Sequence, residues 1–154
     1  MRCYQIYWIK DEFASFFYGR EKAFYHLFND WMHSKGDYKR ILDLQVNYIT
    51  KQLPVMQLYR MLHQNLSRHK GFTAEDSVYR LVTTEKNAST LEIHLEKMVL
   101  KATGSYDAET LFFEYLRNFD GRLIALDLEN GRYGWVKPLK ENMFKKEKMK
   151  ENIV

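Results

Sequence analysis

The chain has 154 residues, 45% hydrophobic and 29% charged, the mix expected of a soluble globular domain large enough to fold without disulfide or metal staples. One cysteine, Cys3, excludes an intramolecular disulfide and fits a reducing compartment. The formal charge is +4, but six lysines against three glutamates from Lys137 onward carry +3 of it, so the body is near neutral and lacks the clustered basic face of a nucleic-acid binder.

In chain order, Tyr4–Ile9 (YQIYWI) is aromatic and β-branched, with Tyr4, Ile6 and Trp8 on one face and Gln5, Tyr7 and Ile9 on the other. Two largely apolar faces predict a central strand. Lys10, Asp11 and Glu12 interrupt the run before it could serve as a signal peptide. No stretch approaches the roughly 18 apolar residues of a membrane span, so a cytoplasmic location is expected. Asp11–Trp31 then carries eight aromatics: Phe13, Phe16, Phe17, Tyr18, Phe24, Tyr25, Phe28 and Trp31. Helical spacing links most of them, but one core-facing stripe is only about 100° wide and cannot take all eight. Gly19 predicts a break near Tyr18–Arg20, with a short aromatic turn or helix before it and a longer helix over 20–32.

Asp37–Thr50 reads as a helix with Asp37 as cap. Leu42, Val46 and Ile49 form its inner stripe, and Ile41, Gln45 and Tyr48 a neighbouring one available to face outward. Pro54 opens another helix carrying Val55, Leu58, Tyr59, Leu62 and Leu66, and Gly71 closes it. The period then falls to 2. Ser77–Thr84, Thr90–Leu95 (Leu91, Ile93 and Leu95 on one side) and Met98–Thr103 predict an antiparallel meander. Asp107 is a plausible cap for a helix with an Ala108, Leu111, Phe112, Tyr115, Leu116 and Phe119 stripe. Leu123–Leu128 and Tyr133–Val136 flank Asn130-Gly131, a strong hairpin signal. The N-terminal strand has no sequential neighbour and should pair with one of these late strands. The expectation is an α+β single domain over 1–142, with an antiparallel or mixed sheet of about five to six strands and about four helices, then a frayed lysine-rich tail at 143–154.

Chemistry is hard to find. None of the five histidines forms an i, i+4 pair, and HExxH, GxSxG, Walker A and GxGxxG are all missing. Asp107 and Glu109 suit a helix N-terminus better than catalysis. Tyr133 and Trp135 with the helical aromatics could line a ligand pocket, which leaves a small-molecule sensor or enzyme as an alternative. The aromatic excess is the best physical clue and leaves two readings: all eight rings in the core, or some of them at a protein interface, where a few desolvated rings carry most of the energy.

Four stretches together resemble the SirA family, the sporulation inhibitors of replication: DEFASFFYGRE at 11–21, LQVNYIT at 44–50, GSYDAETLFFEYLR at 104–117 and RYGWVKPLKE at 132–141. The resemblance spans about 4–142 and none of the stretches is a catalytic signature. It implies a regulator that is not an enzyme, needs no cofactor or metal, and touches neither nucleic acid nor membrane directly. It implies binding, as a monomer forming a heterodimer, to the N-terminal domain of the replication initiator DnaA. By position the contacts fall on Phe13, Phe17 and Gln45, with Tyr18 beside them. The family carries tyrosine where Phe17 stands, so Phe17 keeps the apolar contact and gives up a hydroxyl hydrogen bond.

Overall fold

The structure, a computed structural model, describes residues 1–137. The stretch 143–154 lies outside the described residues. In order the elements are β1 (Arg2–Ile9), α1 (Asp11–Phe16), α2 (Glu21–His33), α3 (Gly36–Ile49), β2 (Thr50–Lys51), α4 (Val55–Leu66), β3 (Phe72–Glu75), β4 (Val78–Thr84), β5 (Asn87–Ile93), β6 (Met98–Thr103), α5 (Asp107–Arg117), β7 (Leu123–Asp127) and β8 (Arg132–Trp135).

The two-sided apolar pattern of β1 sets the architecture. Such a strand is stable only where both its faces are covered. β1 lies inside a sheet of order β3-β4-β5-β6-β1-β7-β8, and two-residue β2 pairs with its end. Every pairing is antiparallel; Ile6 sits between Met98 of β6 and Ala125 of β7. The late strand it pairs with is thus β7, and β6 flanks it on the other side.

Helices pack on both faces. Leu58, Leu62 and Leu66 of α4 and Phe112 and Leu116 of α5 meet Ile6, Leu91, Leu100 and Leu123 on one side. Ala14, Phe24, Phe28, Val46 and Ile49 of α1–α3 meet Tyr7, Ile9, Ile124 and Leu126 on the other. Tyr7 stacks on Phe28 with ring centroids 4.3 Å apart. Burying each such ring contributes roughly 1.5–3 kcal/mol.

The class is α+β as expected, but there are eight strands and five helices among the described residues. The extra strands are β2 and β3. Only Phe72 of β3 is even half-buried, so no alternation marks it. It joins β4 through Asp76, whose φ of 53° is the left-handed conformation that closes so short a turn. Leu95 does not share the inner side of Leu91 and Ile93. It is exposed, because β5 ends at Ile93 and the His94 N–H donates to the Lys97 carbonyl at 2.9 Å, turning the chain. Asp11, Asp37 and Asp107 are first-turn residues rather than caps. The cap positions belong to Lys10, Lys35 and Tyr106, none with a side-chain capping bond. The acids there act through the helix dipole.

Candidate functional site

The break at Gly19 creates the site. Gly19 has φ +80°, a conformation costly for other residues, and lets α1 end and α2 begin at an angle. The Glu21 carboxylate fastens this turn. Its Oε1 accepts from the Gly19 N–H at 3.0 Å and from the Trp135 indole at 3.1 Å, tying the turn to β8. At the other end of α1, Asp11 receives Lys51 Nζ and Arg122 Nε, each at 3.2 Å. Trp31 donates to Asp43 and joins α2 to α3. A six-residue helix held at both ends thus presents its rings in a fixed direction.

Of those rings none on α1 is fully buried; Ala14 alone fills the inner position. Phe13 and Phe17 are half-buried. Phe13 meets the Tyr48 ring at 5.3 Å, and Phe17 meets Phe24 at 5.1 Å, both edge-on. Between α1, α2 and α3 these rings line a groove of about 240 Å³ together with Ala23, Leu27, Gln45 and Ile49. The structure therefore brings Phe13, Phe17 and Gln45 together around one opening. Tyr18 is half-buried in the turn and is not among the groove-lining residues. Two aromatics beyond the contacts carried over by position belong to the site. Phe16 is 68% exposed and meets Phe17 at 4.9 Å. Tyr48 lines the groove with Lys10 Nζ 5.0 Å from its ring centre. The 3.6-residue period could have found Phe16, since Phe13, Ala14 and Phe17 on the inner side leave it outward.

The aromatic-pocket alternative has a physical counterpart. An open cavity of about 360 Å³ lies between α5 and β8, lined by Tyr4, Phe113, Ala125, Arg132, Tyr133 and Trp135 among others. Part of its polar lining is committed elsewhere, while Glu114 and Arg117 stand exposed at its wall. Arg132 donates to Asp127 at 2.7 Å and to the Tyr106 hydroxyl at 3.1 Å, and Thr110 Oγ1 donates to the Tyr106 carbonyl at 2.8 Å. The Tyr4 hydroxyl donates to Glu109 at 2.8 Å, and burial followed by that bond pushes its pKa up to about 12. Glu109 is not an exposed helix-terminal acid. It is buried and also receives Arg2 at 2.6 Å, so it is a structural clamp between β1 and α5. Cys3 is half-buried, and burial pushes its thiol pKa up, away from an activated nucleophile. No group of three His, Cys, Asp or Glu among the described residues could hold a metal ion. No helix among the described residues is long and apolar enough to cross a membrane.

The family model for the sporulation inhibitor of replication protein SirA matches residues 2–140. The curated sporulation inhibitor of replication protein SirA of Bacillus subtilis (strain 168) is 34% identical over 146 residues, covering 93% of this chain and 98% of that protein. The match takes in both the groove elements and the whole sheet, and on it the chain belongs to the SirA family.

Proposed function

We propose that this chain restrains chromosome replication at the onset of sporulation by binding the N-terminal domain of the initiator DnaA through the α1–α3 groove. The observation that carries this reading is the groove itself, where Phe13, Phe17 and Gln45 converge from two helices separated in sequence. Half-buried rings at a groove edge are the kind of anchors that dominate interface energies, at ~2 kcal/mol or more each on truncation. Gln45 is exposed at the end of the groove and would satisfy a polar group at the margin of the contact. The action is steric. Occupying the initiator domain blocks the self-association or partner contacts that load replication machinery, so no chemical step, metal or cofactor is called for. The complex is one chain to one initiator domain, formed in the cytoplasm.

The test is a pull-down and titration of the isolated N-terminal domain of DnaA with wild-type and Gln45→Arg protein. The expected result is loss of binding with circular dichroism and melting temperature unchanged. Wild-type strength in the Gln45→Arg variant removes the groove as the site. Failure of the wild type to bind removes the partner.

A further inference from the structure

α3 carries two apolar stripes. Leu42, Val46 and Ile49 form the buried one, against the sheet. The second is Tyr38, Ile41, Leu44 and Tyr48, which are 55%, 53%, 71% and 65% exposed. At 3.6 residues per turn, these four and Gln45 fall within a sector roughly 120° wide, as broad as a core stripe, and point away from the sheet. A helix that serves only a core carries polar residues there. The excess is local as well. Five of the twelve large apolar side chains exposed among the described residues are these four and Phe16, on α1 and α3.

The groove is too small to be the whole contact. Eight residues line it, whereas a stable interface takes roughly 20–30 residues and about 800 Å² from each partner. The contact must continue onto adjoining surface. Toward the start of α1 that surface is ionic, with Asp11 held by Lys51 and Arg122. Toward α3 it is mostly apolar, with Gln45 and Asp37 the polar residues in the same sector. Tyr48 lines the groove, touches Phe13, and is the last member of the outer stripe. From Tyr48 back to Tyr38 the stripe runs ten residues, about 15 Å. Arg40, 3.8 Å from Asp37, borders its first turn.

We infer that the partner seated in the groove also lies along the outer stripe of α3, with Leu44 and Ile41 as a second set of anchors. This rests on the groove reading of the proposed function. The partner face that fits is apolar for about 15 Å, with an acidic margin against Arg40. Leu44 and Ile41 lie outside the three contacts that the family resemblance points to.

The experiment titrates the isolated N-terminal domain of DnaA with wild-type, Ile41→Ser, Leu44→Ser, Arg40→Glu and Gln45→Arg proteins. Light scattering of each protein alone runs in parallel. Leu44→Ser and Ile41→Ser are each expected to weaken binding about tenfold or more with unchanged melting temperature, since both side chains are exposed. Arg40→Glu is expected to weaken it at low salt, by a margin that shrinks at high salt. Wild-type affinity in both serine variants, with binding lost in Gln45→Arg, overturns the extension and leaves the groove standing. No binding by the wild type overturns both. A wild-type dimer that Leu44→Ser turns into monomers assigns the stripe to a second copy of the chain and overturns the shared-partner inference.

Discussion

The two sides of the sheet handle apolar surface differently. On the α4/α5 side, aliphatic side chains from two helices and five strands interlock, and Leu58, Leu62, Leu91, Leu100, Phe112 and Leu116 are all fully buried. Two of its polar inclusions are closed circuits, whereas the Trp8 indole and the Ser89 hydroxyl are buried there without a hydrogen-bond partner. Glu109 is held by Arg2 and Tyr4, and Asp127 by Asn130 and Arg132. On the α1–α3 side the core is smaller and aromatic, and it shades outward into Phe13, Phe17, Phe16 and Tyr48 without a polar boundary. The first side closes over an aliphatic core, with Met56 exposed on α4; the second carries half-buried and exposed rings around its core. The side chains that pack the core and those proposed for recognition are therefore separable in this molecule.

That separation can be broken at four points, in falling order of effect. Phe28→Ala, at the centre of the aromatic core, is expected to cost about 3–5 kcal/mol in urea denaturation. A cost below ~1 kcal/mol would mean the α1–α3 layer is not a core at all. Asp127→Asn tests the closed side. The carboxylate is 1% exposed; burial alone would raise its pKa, but hydrogen bonds from Asn130 and Arg132 outweigh it and the net direction is down. A depressed folded-state pKa contributes stability that is complete above the ordinary carboxylate range and is lost as pH falls through it. The variant is expected to lose about 2 kcal/mol at neutral pH and to show a flatter acid limb than wild type. An unchanged acid limb would show that other carboxylates govern it. Phe13→Ala sharpens the contrast. It should weaken initiator-domain binding by about tenfold or more, ~1.4 kcal/mol, while stability falls by only ~1 kcal/mol. Unfolding in its place would make Phe13 a core ring. Smallest of all is Asp37→Ala. The Asp37–Arg40 pair is 3.8 Å apart, with side chains 97% and 84% exposed, so the melting curve should move by less than ~0.5 kcal/mol.

Much of this was legible in the sequence where a local rule has one outcome. Two apolar faces on Tyr4–Ile9 put β1 inside the sheet. Gly19 broke the aromatic run, and Gly131, at φ +66°, turned the β7–β8 hairpin. Ile41, Gln45 and Tyr48 do face outward. What stayed hidden depends on partners far along the chain. The partners of Glu109 are Arg2 and Tyr4, more than 100 residues away, so spacing alone reads it as an ordinary first-turn acid. β3 is short and mostly exposed, and exists because β4 offers an edge. The groove needed the angle between α1 and α3, which no periodicity encodes.

The central place of β1 also bears on how the chain is made. Its neighbours are β6 and β7, and Arg2 is paired with Ala102. A ribosome adds roughly 5–20 residues per second, so β1, joined early only by two-residue β2, waits on the order of 5–20 s for β6, its first long neighbour. Until then the aromatic helices α1–α3 have no sheet to lie on, and their rings are open to other chains. Completion of this fold comes with the last strands to emerge. Nascent chains stalled before Met98 should lack protected amides in β1 and associate with chaperones, whereas chains released beyond Trp135 should not.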